Sequence, residues 1–117
     1  MNEYQPSAFK NLIVWRKGMD VALLSCRLAN KLPKEEQFGL ANQIRRCAVS
    51  IPSNIAEGSR RGSKKEFKQF LRIAAGSAAE LETQLILAQD IYANNPEKVL
   101  SLLNEVERMI ESLSQKI

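Results

Sequence analysis

Residues 63–92 read SKKEFKQFLRIAAGSAAELETQLILAQDIY, and this run decides the fold. Phe67, Leu71, Ala74, Ala78, Leu81, Leu85, Ala88 and Tyr92 recur in steps of four and three. That spacing places all eight on one stripe of an α-helix, whereas a half-buried strand would alternate every second residue. Ser63, followed three residues later by Glu66, has the pattern of a capping box. The serine hydroxyl takes an orphan N–H of the first turn, and the glutamate reaches back to the Ser63 N–H. The pattern predicts a helix over about 63–93, about 45 Å long, as the spine of the molecule.

Working outward, Ala41, Ile44, Ala48, Ile51 and Ile55 form the seam of a helix over about 36–61. Pro52 lies inside it and deletes the hydrogen bond to the Ala48 carbonyl, so a kink is expected there. The seam keeps its phase across Pro52, which favours a kinked helix over a broken one. Residues 58–62, GSRRG, are the connection to the spine. Towards the N-terminus, Leu12, Trp15, Met19, Ala22, Cys26 and Ala29 mark a helix over about 9–31. It ends at Leu32-Pro33, because a residue before proline is pushed out of the α region. Downstream, Val99, Leu103, Val106, Ile110, Leu113 and Ile117 mark a helix over about 96–116. Asn95 is placed to cap it, with Pro96 in its first turn and Glu97 beside the positive end of the dipole. Four amphipathic helices with short turns make one all-α domain over 1–117, an antiparallel up-down-up-down four-helix bundle.

Composition narrows the function. The 117 residues are 44% hydrophobic and 26% charged, enough for one core without staples. Histidine is absent. Ser-His and Cys-His nucleophile pairs and histidine metal ligands are therefore excluded from the chain itself. Two cysteines, Cys26 and Cys47, are too few for a thiolate zinc site and read as reduced, buried thiols. No run approaches 18 apolar residues, and Met1 to Ala8 carries Glu3 and no apolar stretch. A membrane span and a secretory leader are not expected, and the cytoplasm is the default location.

The net charge of +4 is unevenly placed. Residues 1–40 hold six basic and four acidic side chains, and residues 41–75 hold eight and two. Residues 76–117 hold three basic and seven acidic side chains. A basic middle beside an acidic last third attracts phosphate on one side and repels it on the other, or serves contact between copies.

Several pieces of sequence resemble a known family. They are Phe9-Lys-Asn-Leu-Ile-Val-Trp15, Leu32-Pro33 with Glu36-Gln-Phe-Gly-Leu40, and Gln43-Ile-Arg-Arg46. The densest is Ser50-Ile-Pro-Ser-Asn-Ile-Ala-Glu-Gly58, followed by Glu66-Phe67, Phe70-Leu71, Ala75-Gly-Ser77 and Glu80-Leu-Glu82. Together they resemble the four-helix-bundle proteins encoded within intervening sequences of bacterial 23S ribosomal RNA genes, often labelled ribosomal proteins. The resemblance covers roughly residues 9–92; the fourth helix is generic. It implies a left-handed bundle assembled as a ring, commonly a homopentamer. It also suggests a likeness in architecture to the basic pentameric accessory proteins of diversity-generating retroelements, although none of their distinguishing motifs is matched. The resemblance leaves the activity open.

Four constellations are candidates for function. Gln43, Arg46, Ser50, Asn54 and Glu57 make a polar stripe on the second helix, and Ser77, Glu80 and Gln84 make one on the third. The two stripes are suited to a hydrogen-bonded network at a subunit boundary, with Arg46 paired to Glu57 or Glu80; plain solvent exposure and a ligand site are the alternatives. Gly58-Ser-Arg-Arg-Gly-Ser-Lys-Lys65 brings four cations and two glycines to a helix N-terminus, a cradle for polynucleotide phosphate or simply a solvated turn. It is not a nucleotide-binding P-loop: three residues separate its glycines, Ser precedes Lys, and a helix precedes the loop. Lys65, Lys68 and Arg72, with Lys64 beside them, extend the cations along one helix face. Repeated around a ring they would form a belt, and a belt touching six to ten phosphates would lose about a thousandfold in affinity from 50 to 200 mM salt. Aromatics are scarce at 6%, so contact would be to backbone shape rather than to stacked bases. The small-residue run Ala74-Ala-Gly-Ser-Ala-Ala79 includes Gly76, which costs about 1 kcal/mol against Ala inside a helix and implies close packing, within the chain or between copies.

Catalysis is poorly supported. Ser50 or Ser53 with a lysine shows no sign of a desolvated lysine, and Glu57, Glu80 and Glu82 lack the histidines of a di-iron bundle. The expectation is a non-catalytic, oligomeric bundle without cofactor or metal. Arg60, Arg61, Lys64, Lys65, Lys68 and Arg72 would bind RNA or other nucleic acid. The rival is a protein-interaction scaffold whose charge asymmetry serves self-assembly.

Overall fold

The computed structural model describes residues 8–117. Four helices, α1 (Ile13–Asn30), α2 (Leu40–Ser59), α3 (Lys64–Tyr92) and α4 (Glu97–Lys116), are accompanied by two 3-10 turns, Ala8–Asn11 and Lys34–Glu36. No strand occurs among the described residues. α2 packs against α1 and α3, and α4 against α1 and α3, giving an all-α four-helix bundle of 51 × 27 × 19 Å. Gly18 lies against Pro52 while Asn30 meets Arg45, so α1 and α2 run in opposite directions. Gly58 lies against Phe70 while Ser50 meets Ser77, so α2 and α3 do the same. No helix among the described residues is long and apolar enough to cross a membrane. The expectation that Met1 to Ala8 is not a secretory leader falls almost wholly on residues 1–7, outside the described residues.

Two helices start later than the periodicity suggests. Leu12 is extended at φ −74° and ψ 124°, so α1 begins at Ile13, and Phe9 belongs to a 3-10 turn. There its ring meets Trp15 edge-on at 5.3 Å. α2 begins at Leu40 because the preceding residues are used as a corner. Gln37 Nε2 donates to the carbonyls of Ala29 (3.2 Å), in the last turn of α1, and Leu32 (2.9 Å), just beyond it. Arg45 donates to Gln37 Oε1 and, at 2.7 Å, to Asn30 Oδ1. Glu36 accepts the Leu40 N–H at 3.2 Å and the Tyr92 hydroxyl, tying the far end of α3 to the same corner. The Tyr92 bond, helped by the Leu40 N–H, holds the Glu36 carboxyl below its ordinary range, and Glu36 pushes the Tyr92 phenol up to about 12.

The expected seams of α2 and α3 are buried from Ala41 to Ile55 and from Leu71 to Ala88, and that of α4 from Val99 to Ile110. The seam of α1 is rotated. Val14, Gly18, Val21, Ala22, Ser25 and Ala29 face the core, while Met19 is 45% exposed and Trp15 and Cys26 are half-buried. Small residues at 18 and 25 let α1 approach closely; a Cβ on Gly18 would stand 3.6 Å from Pro52 Cβ. α2 is continuous through the buried Pro52.

The caps are also adjusted. Ser63 Oγ accepts the Glu66 N–H at 3.1 Å, but Glu66 takes the Ser63 hydroxyl, not its N–H. Asn95 Oδ1 caps the Glu97 N–H at 3.0 Å, with Pro96 just before the first helical residue. α3 ends at the exposed Ala93 in the left-handed region, φ 58°. A Cβ there is disfavoured by about 1 kcal/mol, so Ala93→Gly should raise the melting temperature by a few degrees. A melt followed by circular dichroism checks this.

Candidate nucleic-acid interface

The basic end of the bundle is built by a close helix crossing. A Cβ on Gly58 would lie 2.6 Å from Phe70 Cβ and 3.1 Å from Phe67 Cδ1, so only glycine lets α2 end this close to the start of α3. Gly62, at φ 89°, makes the turn. Ser63 then starts α3 and sends Lys64 and Lys65 to the exposed first turn. Lys68 follows half-buried and Arg72 exposed.

The six expected phosphate ligands are not equivalent. Lys64, Lys65 and Lys68 form no ion pair among the described residues. Arg61 is committed: it pairs with Glu57 at 2.8 Å and stacks over the Phe70 ring at 4.9 Å. Arg60 is exposed at the end of α2, where a cation also suits the negative end of the helix dipole. Arg72 shares a groove of about 480 Å³ with Glu107 and Glu111 of α4. Burial and the nearby Glu82 raise the Glu107 carboxyl above its ordinary range.

The single polar network expected on α2 and α3 divides into two. Ser50 meets Ser77 hydroxyl to hydroxyl, and Cys47 Sγ donates to the Ser77 carbonyl at 3.0 Å. Asn54 instead donates to the Ser50 carbonyl of its own helix at 2.7 Å. Glu57 turns to Arg61, so the Arg46–Glu57 pair does not form, and Arg46 makes no ion pair with Glu80 either. Gln43, Arg46 and Ser50 face Ser77, Glu80 and Gln84 across a groove of about 350 Å³. Cys47, at 8% exposed, lies in its floor. Burial first, then the neighbouring Glu80 carboxylate, pushes its thiol up to about 12. Asn42 and Cys47 were not read as members of this group, although their spacing to Arg46 and Ser50 fits the same helix face. Cys26, expected buried, is half-buried. No group of three or more metal-ligating side chains is gathered among the described residues.

Residues 10–115 match the family model described as 23S rRNA-intervening sequence protein. The chain belongs to that family. Among solved structures, a protein of unknown function from the S23 ribosomal protein family of Bacteroides thetaiotaomicron has the same fold. It is 24% identical, with a TM-score of 0.79 over 87% of this chain and 98% of that one. No curated protein matches the chain.

Proposed function

We propose that the chain is a non-catalytic, oligomeric cytoplasmic protein that binds structured RNA or other nucleic acid through the basic end of its bundle. The observation that carries this reading is the exposure of Lys64 and Lys65, with Lys68 one turn on, all without an acidic partner at a helix N-terminus. Arg60 and Arg72 flank them, and Arg61 positions the loop. Binding at this end would be to phosphate and shape, because the aromatic rings there, Phe67 and Phe70, are half-buried against Gly58.

A second reading, a self-assembling scaffold, draws on a different surface. Ile73, Leu87 and Ile91 lie exposed along one stripe of α3, and nothing lies within 4 Å of the Gly76 Cβ position on the same stripe. The close packing expected at Gly76 is therefore not made within the chain. A second copy seated on this stripe would bury it, and a closed ring such as the pentamer implied by the family resemblance is one arrangement that does so.

The two readings separate with Lys65→Glu combined with Lys68→Glu. The binding reading expects affinity for structured RNA at 50 mM salt to fall at least tenfold, with the size measured by light scattering unchanged. RNA affinity unchanged in a folded double variant would refute it.

A further inference from the structure

The groove between α2 and α3 is a built polar site that the phosphate reading does not use. Its floor holds Cys47 and Gln84, which are 8% and 6% exposed. The Gln84 side-chain carbonyl oxygen is buried without a hydrogen-bond donor, an arrangement that disfavours the empty groove. One wall, on α2, presents Arg46 with Gln43; the other, on α3, presents Glu80. Arg46 and Glu80 share the groove without pairing. Their charges cancel, so the lining suits a neutral molecule that offers acceptors to one wall and donors to the other. The volume, about 350 Å³, lies at the lower end of the range for small-ligand sites.

We propose that this groove takes a single unstacked guanine base. Guanine carries two acceptors, O6 and N7, on the edge that an arginine reads bidentately. On its Watson–Crick edge it carries two adjacent donors, N1–H and the N2 amino group, which a carboxylate accepts as a pair. The second N2 proton would supply the donor that the Gln84 carbonyl lacks. Adenine mismatches both walls: its N6 amino group would face Arg46, and its N1 acceptor would face the Glu80 carboxylate. Cytosine and uracil are too small to span both walls with matching edges. Single-stranded loops and bulges present bases in this unstacked way. The proposal rests on the nucleic-acid reading above, in which the cations around Lys64 hold the backbone while the groove reads one base.

Neutral nucleosides test the groove without engaging the phosphate face. Guanosine, adenosine, cytidine and uridine are titrated into the full chain at 200 mM salt while backbone amide signals are followed by NMR. The expected result is that guanosine shifts the amides of residues 42–50 and 77–84 and binds at least tenfold more tightly than the other three. Glu80→Ala and Arg46→Ala, both at exposed positions, should each abolish the preference while leaving the amide spectrum of a folded protein. No shift with guanosine, equal shifts with all four nucleosides, or shifts confined elsewhere would overturn the proposal. RNA binding that persists with a silent groove would leave the phosphate reading standing. A guanosine preference in a protein that binds no RNA would uphold the groove and sink the phosphate reading.

Discussion

At pH 8, Cys47 should react with iodoacetamide about a thousandfold more slowly than an ordinary cysteine. The thiolate is the nucleophile, and an unperturbed thiol with a pKa near 8.5 is roughly a quarter ionised at that pH. Cys47 is pushed up to about 12 by burial and by Glu80, so only about one molecule in ten thousand carries the thiolate. Its S–H also donates to the Ser77 carbonyl, which favours the protonated form. The sign is that of a charge disfavoured twice, by a dry site and by a neighbouring anion. Cys26 is half-buried and has better access. Mass spectrometry after timed alkylation should show one label per chain, on Cys26, and a second on Cys47 only when the bundle is unfolded. Prompt labelling of Cys47 in the folded protein would show that α2 and α3 open at this level.

Gly58→Ala should destabilise the bundle by about 1–3 kcal/mol, because overpacking forces neighbours off their positions. The added methyl would meet Phe70 at its Cβ, close to the backbone of α3, which cannot swing aside as the end of a long side chain would. For a domain of this size, a loss of 2 kcal/mol lowers the melting temperature by about 10 °C. Gly76→Ala is the internal control, since nothing lies within 4 Å of that position and the helix gains about 1 kcal/mol of propensity. A control that instead weakens self-association would place Gly76 under a second copy. A Gly58→Ala variant as stable as the parent would contradict the close crossing that sets the basic end.

The two glycines show what could be read from residues alone. α2 and α3 were legible because a strict four-three alternation has one phase, which Ile44, Ile51, Leu71 and Leu81 hold, whereas the exposed Ile73, Leu87 and Ile91 lie on a stripe interrupted by Gly76 and Glu80. α1 has such rivals: Ile13, Val14 and Trp15 are adjacent, as are Val21 to Leu24. Its phase is decided by the approach of Gly18 to Pro52, a contact between helices that periodicity does not contain. The late start of α2 has the same origin, since Gln37 and Glu36 serve as partners for α1 and Tyr92 instead of as helix.

The polar residues divide similarly. Helical spacing puts Gln43, Arg46 and Ser50 on one face of α2, and in the structure that face borders a groove shared with Ser77 and Glu80 of α3. It did not fix partners. Glu57 has Arg61 one turn ahead on its own helix, and that local pair forms in place of the longer reach to Arg46. Arg61, counted among phosphate ligands by charge alone, is thereby committed, and Phe70 holds it further. Charge in a sequence marks where cations are dense; only the fold shows which of them remain without partners.

The most direct test of the central claim is the affinity of the unmodified, folded chain for a labelled structured RNA, followed by fluorescence anisotropy at 50 and 200 mM salt. Four phosphate contacts, from Lys64, Lys65, Lys68 and one flanking arginine, predict a fall of about a hundredfold over that interval, and more if several copies act together. Absence of binding at 50 mM salt, or binding indifferent to salt, would contradict it.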